Sequence, residues 1–129
     1  HARFIRSGQW EVAIIAQLKP PAHYPLIFWR KGADDDEPIL TRSLLKYFKH
    51  NFISHVFIAG FWGHLCVTEV TREALQTKNL YVTVLSDGTY PTITAKKQIS
   101  LRKCFLQERI LTEVIEHFLQ FKTCAEIIA

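Results

Sequence analysis

The chemistry this chain offers is concentrated at Cys66, Lys31 and Asp87. Cys66 comes shortly after the apolar run "FIAG" (57–60) and opens "CVTEVTREALQ", a stretch with helical spacing. Lys31 directly follows the apolar "PLIFWR" (25–30) and Asp87 closes "LYVTVLSDG". A thiol reacts as its thiolate, and the unpaired N–H groups and dipole at a helix start lower a thiol pKa. An ammonium such as Lys31 nearby lowers it further, and the same N–H groups can hold the oxyanion of a tetrahedral intermediate. Strand, turn, cysteine, helix is the geometric relative of the serine nucleophile elbow. The same position also suits a small buried cysteine, and spacing alone leaves both readings open.

The elements that position these residues follow from periodicity. Ser7 is a fair helix N-cap, and Trp10, Ala13, Ile14 and Leu18 share helical spacing, so 9–18 is predicted helix, stopped by Pro20-Pro21. Residues 25–30 are predicted strand. The acidic run 34–37 and Pro38 suit the positive end of a helix over 38–50. "SHVFIAG" (54–60) is predicted as a buried strand, 66–76 as an amphipathic helix, and 80–88 as a strand closed by Asp87-Gly88. Residues 93–121 carry one long helical pattern, with Leu106, Ile110, Leu111, Val114, Ile115 and Phe118 on its buried side, and the terminal "AEIIA" suits a last edge strand. Strand–helix alternation with continuous apolar strands predicts an α/β fold, a parallel sheet between helical layers. Ligands in such folds sit at the carboxyl ends of strands, where Lys31, Cys66 and Asp87 are all expected.

The chain has 129 residues, which suits one domain. A net charge of +4 falls short of the clustered charge of a nucleic-acid binder, so no nucleic-acid partner is expected. No apolar run is long enough to cross a bilayer, so no membrane partner is expected either. Cys66, Cys104 and Cys124 are too few and odd in number for a disulfide framework, which points to a reducing, cytoplasmic setting.

"FIAGFWGHLCVTEVTREALQTKNLYVTVLSDGT" resembles the signature of the isochorismatase-like cysteine hydrolases, the superfamily of nicotinamidases and N-carbamoyl-amide hydrolases. Gly60, Cys66, Val67, Thr71, Ala74 and Asp87 fall at matching places. Upstream, "SGQWEVAIIAQLKP" resembles the family's "G…I…L.P" helix and "IFWRKG" its strand ending in a catalytic lysine. The resemblance runs from about Ser7 to Asp87. It implies a three-layer α/β/α sandwich with Cys66 as nucleophile and Lys31 beside it. It further implies an oxyanion hole from the backbone N–H groups of Cys66 and Trp62, and a cis peptide at Phe61–Trp62. The implied reaction is hydrolysis of a small amide through a thioester. The vinyl-ether reaction on isochorismate runs without the covalent cysteine, so Cys66 favours amides.

Three departures stand out. The family aspartate, which closes an earlier strand and serves as the base, has no counterpart before Lys31. The segment after Lys31 is "ADDDEPIL" in place of an aromatic-bearing one, and Gly88 stands where alanine is commoner. The expectation is a single domain over 1–129 that lacks its first strands and belongs to a longer enzyme. The alternative is a catalytically degenerate relative that acts by binding or oligomerisation. A sheet without its first strands exposes apolar edges, so a homo-oligomer is expected.

The remaining candidates are weaker. Trp29 and Trp62 suit pocket walls near Lys31 and Cys66, although core packing explains Trp29 equally. His64 either orients substrate or lines the turn. One histidine and one cysteine do not make a zinc site, so neither a metal nor a cofactor is expected. Asp34, Asp35, Asp36 and Glu37 lack the spacing of a calcium loop and suit a solvated helix start. Lys96, Lys97, Arg102 and Lys103 form a basic, solvated helix face. Cys104 and Cys124 are expected to be packing residues.

Overall fold

A computed structural model of the chain describes Pro38 and residues 40–63 and 66–128. The helix expected at 9–18 and the strand expected at 25–30 lie outside the described residues.

Helix α1 (Arg42–His50) begins four residues later than its charge pattern suggests. Its start is set by Thr41, whose backbone is extended and whose hydroxyl accepts the Leu44 N–H at 3.2 Å. Leu45 and Phe48 on one side of α1 pack against the core. The helix ends in a Schellman motif: Ile53 N–H donates to Phe48 O and Phe52 N–H to Lys49 O, with Phe52 left-handed at φ 56°.

Strand β1 (His55–Phe61) and helix α2 (Cys66–Gln76) fall where expected, α2 residue for residue, but β1 is not the buried strand expected: Ile58 is buried while Phe57, on the other face, is 52% exposed. Val67, Thr71, Ala74 and Leu75 form the buried stripe of α2, as the spacing requires. Strand β2 (Tyr81–Tyr90) runs two residues past Gly88.

The single long helix expected over 93–121 is instead three elements: α3 (Ala95–Gln107), α4 (Thr112–Phe118) and β3 (Leu119–Lys122). A second Schellman motif makes the break. Ile110 N–H donates to Phe105 O and Arg109 N–H to Leu106 O, with Arg109 left-handed at φ 67°. This fold-back places Ile110 beside Phe105 in the core. The final segment is also not the expected edge strand. It is a short helix, α5 (Cys124–Ile128). Thr123 and Glu126 form a reciprocal capping box there: Thr123 N–H donates to the Glu126 carboxylate at 3.1 Å, and Glu126 N–H to the Thr123 hydroxyl at 3.2 Å.

The sheet has the order β1-β2-β3 and is parallel throughout. Right-handed crossovers between strands laid down in this order put the connecting helices on one face, and α2 and α4 do pack together against it. Val56 and Ile58 pair with Val82 and Val84, which pair in turn with Leu119 and Phe121, so every other residue points under α2 and α4. On the opposite face, Cys124 at the start of α5 comes close to the backbone of Gly88.

The β1–β2 register shifts between Ile58 and Gly60, where Ile58 faces Val84 but Gly60 faces Thr89. Residues 85–88 of β2 stand opposite Ala59 alone, an excess of three, which makes a large bulge of the kind that re-aims a strand beside a functional site. Thr89 Oγ1 donates to Ser86 O at 3.0 Å and Ser86 Oγ to Lys122 O at 3.3 Å, so the bulge is internally closed and tied to β3. Gly88 is required here, which makes its departure from alanine more than a minor one. A Cβ at Gly88 would sit 2.9 Å from Leu85 Cβ, 3.4 Å from Cys124 Sγ and 3.5 Å from Ala59 Cβ. Gly88→Ala is therefore expected to destabilise the chain by about 1–3 kcal/mol, the usual range for overpacking. Urea denaturation checks this, and an unchanged midpoint would contradict it.

Candidate active site

The turn that carries Cys66 is fixed from several directions. β1 leaves the sheet through Gly60, whose φ of +112° strongly favours glycine. Gly63 N–H donates to Tyr90 O at 3.0 Å, tying the turn to the end of β2. Val67 N–H donates to Trp62 O at 3.1 Å and the Thr68 hydroxyl to Gly63 O at 2.6 Å, tying it to the first turn of α2. Gly63 is buried, and a Cβ there would lie 2.9 Å from the Pro91 carbonyl oxygen. No larger residue allows this close approach of the turn to the end of β2.

Cys66 is the first residue of α2 and is exposed. Its N–H belongs to the opening turn of a helix, where amides have no acceptor within the helix itself. Glu69 lies in the same turn, with Arg72 at 3.8 Å. Arg72 also binds Glu108 at 3.2 Å, which links α2 to the end of α3.

Trp62, just after β1, is 46% exposed. It meets the Tyr90 ring in a tilted contact, with centroids 5.7 Å apart. Tyr90 was missed at the sequence level because Asp87-Gly88 reads as the end of the strand, whereas the bulge lets β2 continue. The cis peptide found among the described residues is Tyr90–Pro91, where the tertiary amide makes cis accessible; Phe61–Trp62 is not among those found. Lys31, Trp29 and His64 lie outside the described residues.

Asp87 is engaged elsewhere. Its Oδ1 accepts the Cys124 N–H at 2.7 Å and so caps α5. That backbone bond and, after it, the Cys124 thiol hold the Asp87 carboxyl below the usual aspartate range. In return the Asp87 carboxylate pushes the Cys124 thiol up, aided by burial. Cys124 is thus a capping partner in addition to a packing residue. The Cys104 thiol is also pushed up, first by burial and then by Glu108, whose Oε1 lies 3.5 Å from its sulfur. Raised thiols are poor nucleophiles at neutral pH.

The sign of the Asp87 effect follows from linkage. A carboxyl lowered in the folded state adds stability above its unfolded pKa, and that stability is lost as pH falls through the folded value. Asp87→Asn is therefore expected to flatten the stability–pH curve below about pH 4, as thermal melts across pH would show. An acid limb identical to that of the parent would contradict this.

Among the described residues, no group of three His, Cys, Asp or Glu side chains is placed to hold a metal ion. No described helix is long and apolar enough to cross a membrane.

No family model matches the chain, and no curated protein matches it. A solved structure does: the crystal structure of an isochorismatase-like hydrolase from Alkaliphilus metalliredigens superposes with a TM-score of 0.60 at 22% identity, over 99% of this chain. The fold is isochorismatase-like. The chain spans 65% of the length of that hydrolase. In this isochorismatase-like fold the described sheet is parallel, and the exposed Cys66 opens the helix that follows β1.

Proposed function

We propose that this chain carries the nucleophile of an isochorismatase-type cysteine hydrolase acting on the C–N bond of a small amide. One observation carries the reading: an exposed cysteine opens a helix directly after a parallel strand, on a turn tied to both neighbouring elements. In this reading Cys66 Sγ attacks the amide carbon as thiolate, with the Lys31 ammonium beside it. The carbonyl oxygen becomes an oxyanion and takes hydrogen bonds from the N–H groups of Cys66 and Trp62. The C–N bond breaks, the amine leaves with a proton, and the acyl group stays on sulfur as a thioester. Water then adds to the thioester, releasing the acid and restoring the thiol. The proton that leaves with the amine is the one given up by the Cys66 thiol, carried by a group that acts first as base and then as acid, a role that neither Cys66 nor Lys31 fills. Trp62, with Trp29 and His64, would wall the substrate.

The test is to trap the intermediate. The intact protein is mixed with a panel of small amides, quenched in acid and mapped by mass spectrometry. An acyl increment on the Cys66 peptide, removed by hydroxylamine, is expected. Turnover without acylation of Cys66, or acylation of Cys104 or Cys124 instead, would overturn the mechanism. The alternative reading, a degenerate relative that only binds, predicts neither acylation nor turnover.

A further inference from the structure

Helix α1 is amphipathic, yet it has no fully buried residue. Leu45 and Phe48 face the core but stay half-buried. Beneath them lies a cavity of about 390 Å³. Leu45, Phe48, Ile53 and the buried Leu80 give it apolar walls, and Lys49, Thr77 and Asn79 supply its polar groups. Packed interiors hold few voids larger than a water molecule. Both the volume and the lining, mostly apolar with a few polar groups, are those of a small-molecule site. Ile53 comes just before β1 and Leu80 just before β2, so the cavity sits at the amino ends of the strands. Cys66 lies beyond the carboxyl end of β1, at the other end of the sheet.

The lining selects the ligand. Its one charged residue is Lys49, and no acidic residue lines the cavity. The Thr77 hydroxyl donates to Ala74 O at 2.7 Å and accepts the Asn79 N–H at 3.3 Å, so it is committed to the end of α2. The Lys49 ammonium and the Asn79 side-chain amide are the donors left for an incoming group. The negative end of the α1 dipole disfavours an anion nearby, but Lys49 and His50 in the last turn offset it. An ammonium at the edge of an apolar space suits an anion with an apolar body. We propose that this cavity binds a small carboxylate carrying an aliphatic chain. The chain lies among Leu45, Phe48, Ile53 and Leu80, and the carboxylate meets Lys49. The bound chain completes the burial of the α1 stripe. The site is separate from Cys66 and does not depend on its chemistry.

Titration of the intact protein with octanoate, followed by amide NMR, tests this, with 1-octanol as the neutral control. Saturable shifts are expected at Leu45, Phe48, Lys49, Ile53, Asn79 and Leu80, and octanoate should bind at least about tenfold more tightly than 1-octanol. Lys49→Gln should weaken octanoate about tenfold and leave 1-octanol within about threefold. Lys49 is exposed, so this variant keeps the fold. Octanoate also resembles the acid product of an amide hydrolase, and protein alkylated at Cys66 with iodoacetamide controls for that. Its octanoate Kd should stay within about twofold of the parent's. The proposal is overturned by the lack of saturable shifts, by equal affinity for the two probes, or by an unchanged Kd in Lys49→Gln. Shifts centred on Trp62 and Cys66 that vanish on alkylation would overturn it as well.

Discussion

Cys66→Ala is expected to lower amide turnover by about a thousandfold or more, because removing a covalent nucleophile removes the route itself and not just one of its stabilising contacts. Stability should change by no more than about 0.5 kcal/mol, since the side chain is exposed and the turn around it is held by backbone groups of Trp62, Gly63 and Val67 and by the Thr68 hydroxyl. The two measurements together, kcat on responsive amides and a denaturation midpoint, separate chemistry from folding. Cys104→Ala and Cys124→Ala should keep kcat within about threefold, because these thiols serve Glu108 and Asp87. If Cys66→Ala also kept kcat within that range, the hydrolase mechanism would fall and the binding reading would lead.

The largest stability loss is expected at Phe105. Its side chain is fully buried in the same cluster as Leu75, Ile110 and Ile115. Truncation to alanine removes the apolar contacts and leaves a cavity that the surrounding backbone can close only in part, for a loss of about 3–5 kcal/mol. The site closes poorly because Phe105 also lies in the last turn of α3: its carbonyl accepts the Ile110 N–H that turns the chain back towards α4. Against a typical total of about 5–15 kcal/mol, such a loss leaves the domain close to unfolding at physiological temperature. Guanidinium denaturation reads the change directly. A loss below about 1 kcal/mol would mean that the α3–α4 corner is not part of the cooperative core.

Local pattern revealed the part of the fold that holds the thiol. α2 reads as an amphipathic stripe and buries that stripe, whereas the apolar run of β1 marks a strand but not its burial, because Phe57 faces away from the helices and is 52% exposed. The 93–121 segment misled because its periodicity continues across a break made by Arg109, a residue with no glycine signature. Apolar positions that look like one helical face are shared among α3, α4 and β3. For α5 a signal was present: "TCAE" (123–126) has the capping-box spacing, which outweighs the apparent strand character of "EII". Asp87 was out of reach of any local reading. Its partner is 37 residues away and comes to it only once β3 has paired with β2. The crowding at Gly88 is hidden for the same reason, because two of its close neighbours, Ala59 and Cys124, come from other elements.

The strand order has a consequence for persistence. Among the described residues β2 alone is paired on both sides, and Val82, Thr83 and Val84 are almost wholly buried. Amides in such a strand exchange with solvent only when the whole domain opens, whereas helix ends and outer strands fray earlier. Tyr90, whose carbonyl holds Gly63, terminates this same strand. Tyr90 lies beyond the bulge and pairs with β1 alone, so the loop bearing the thiol should open before the doubly paired 82–84 segment does.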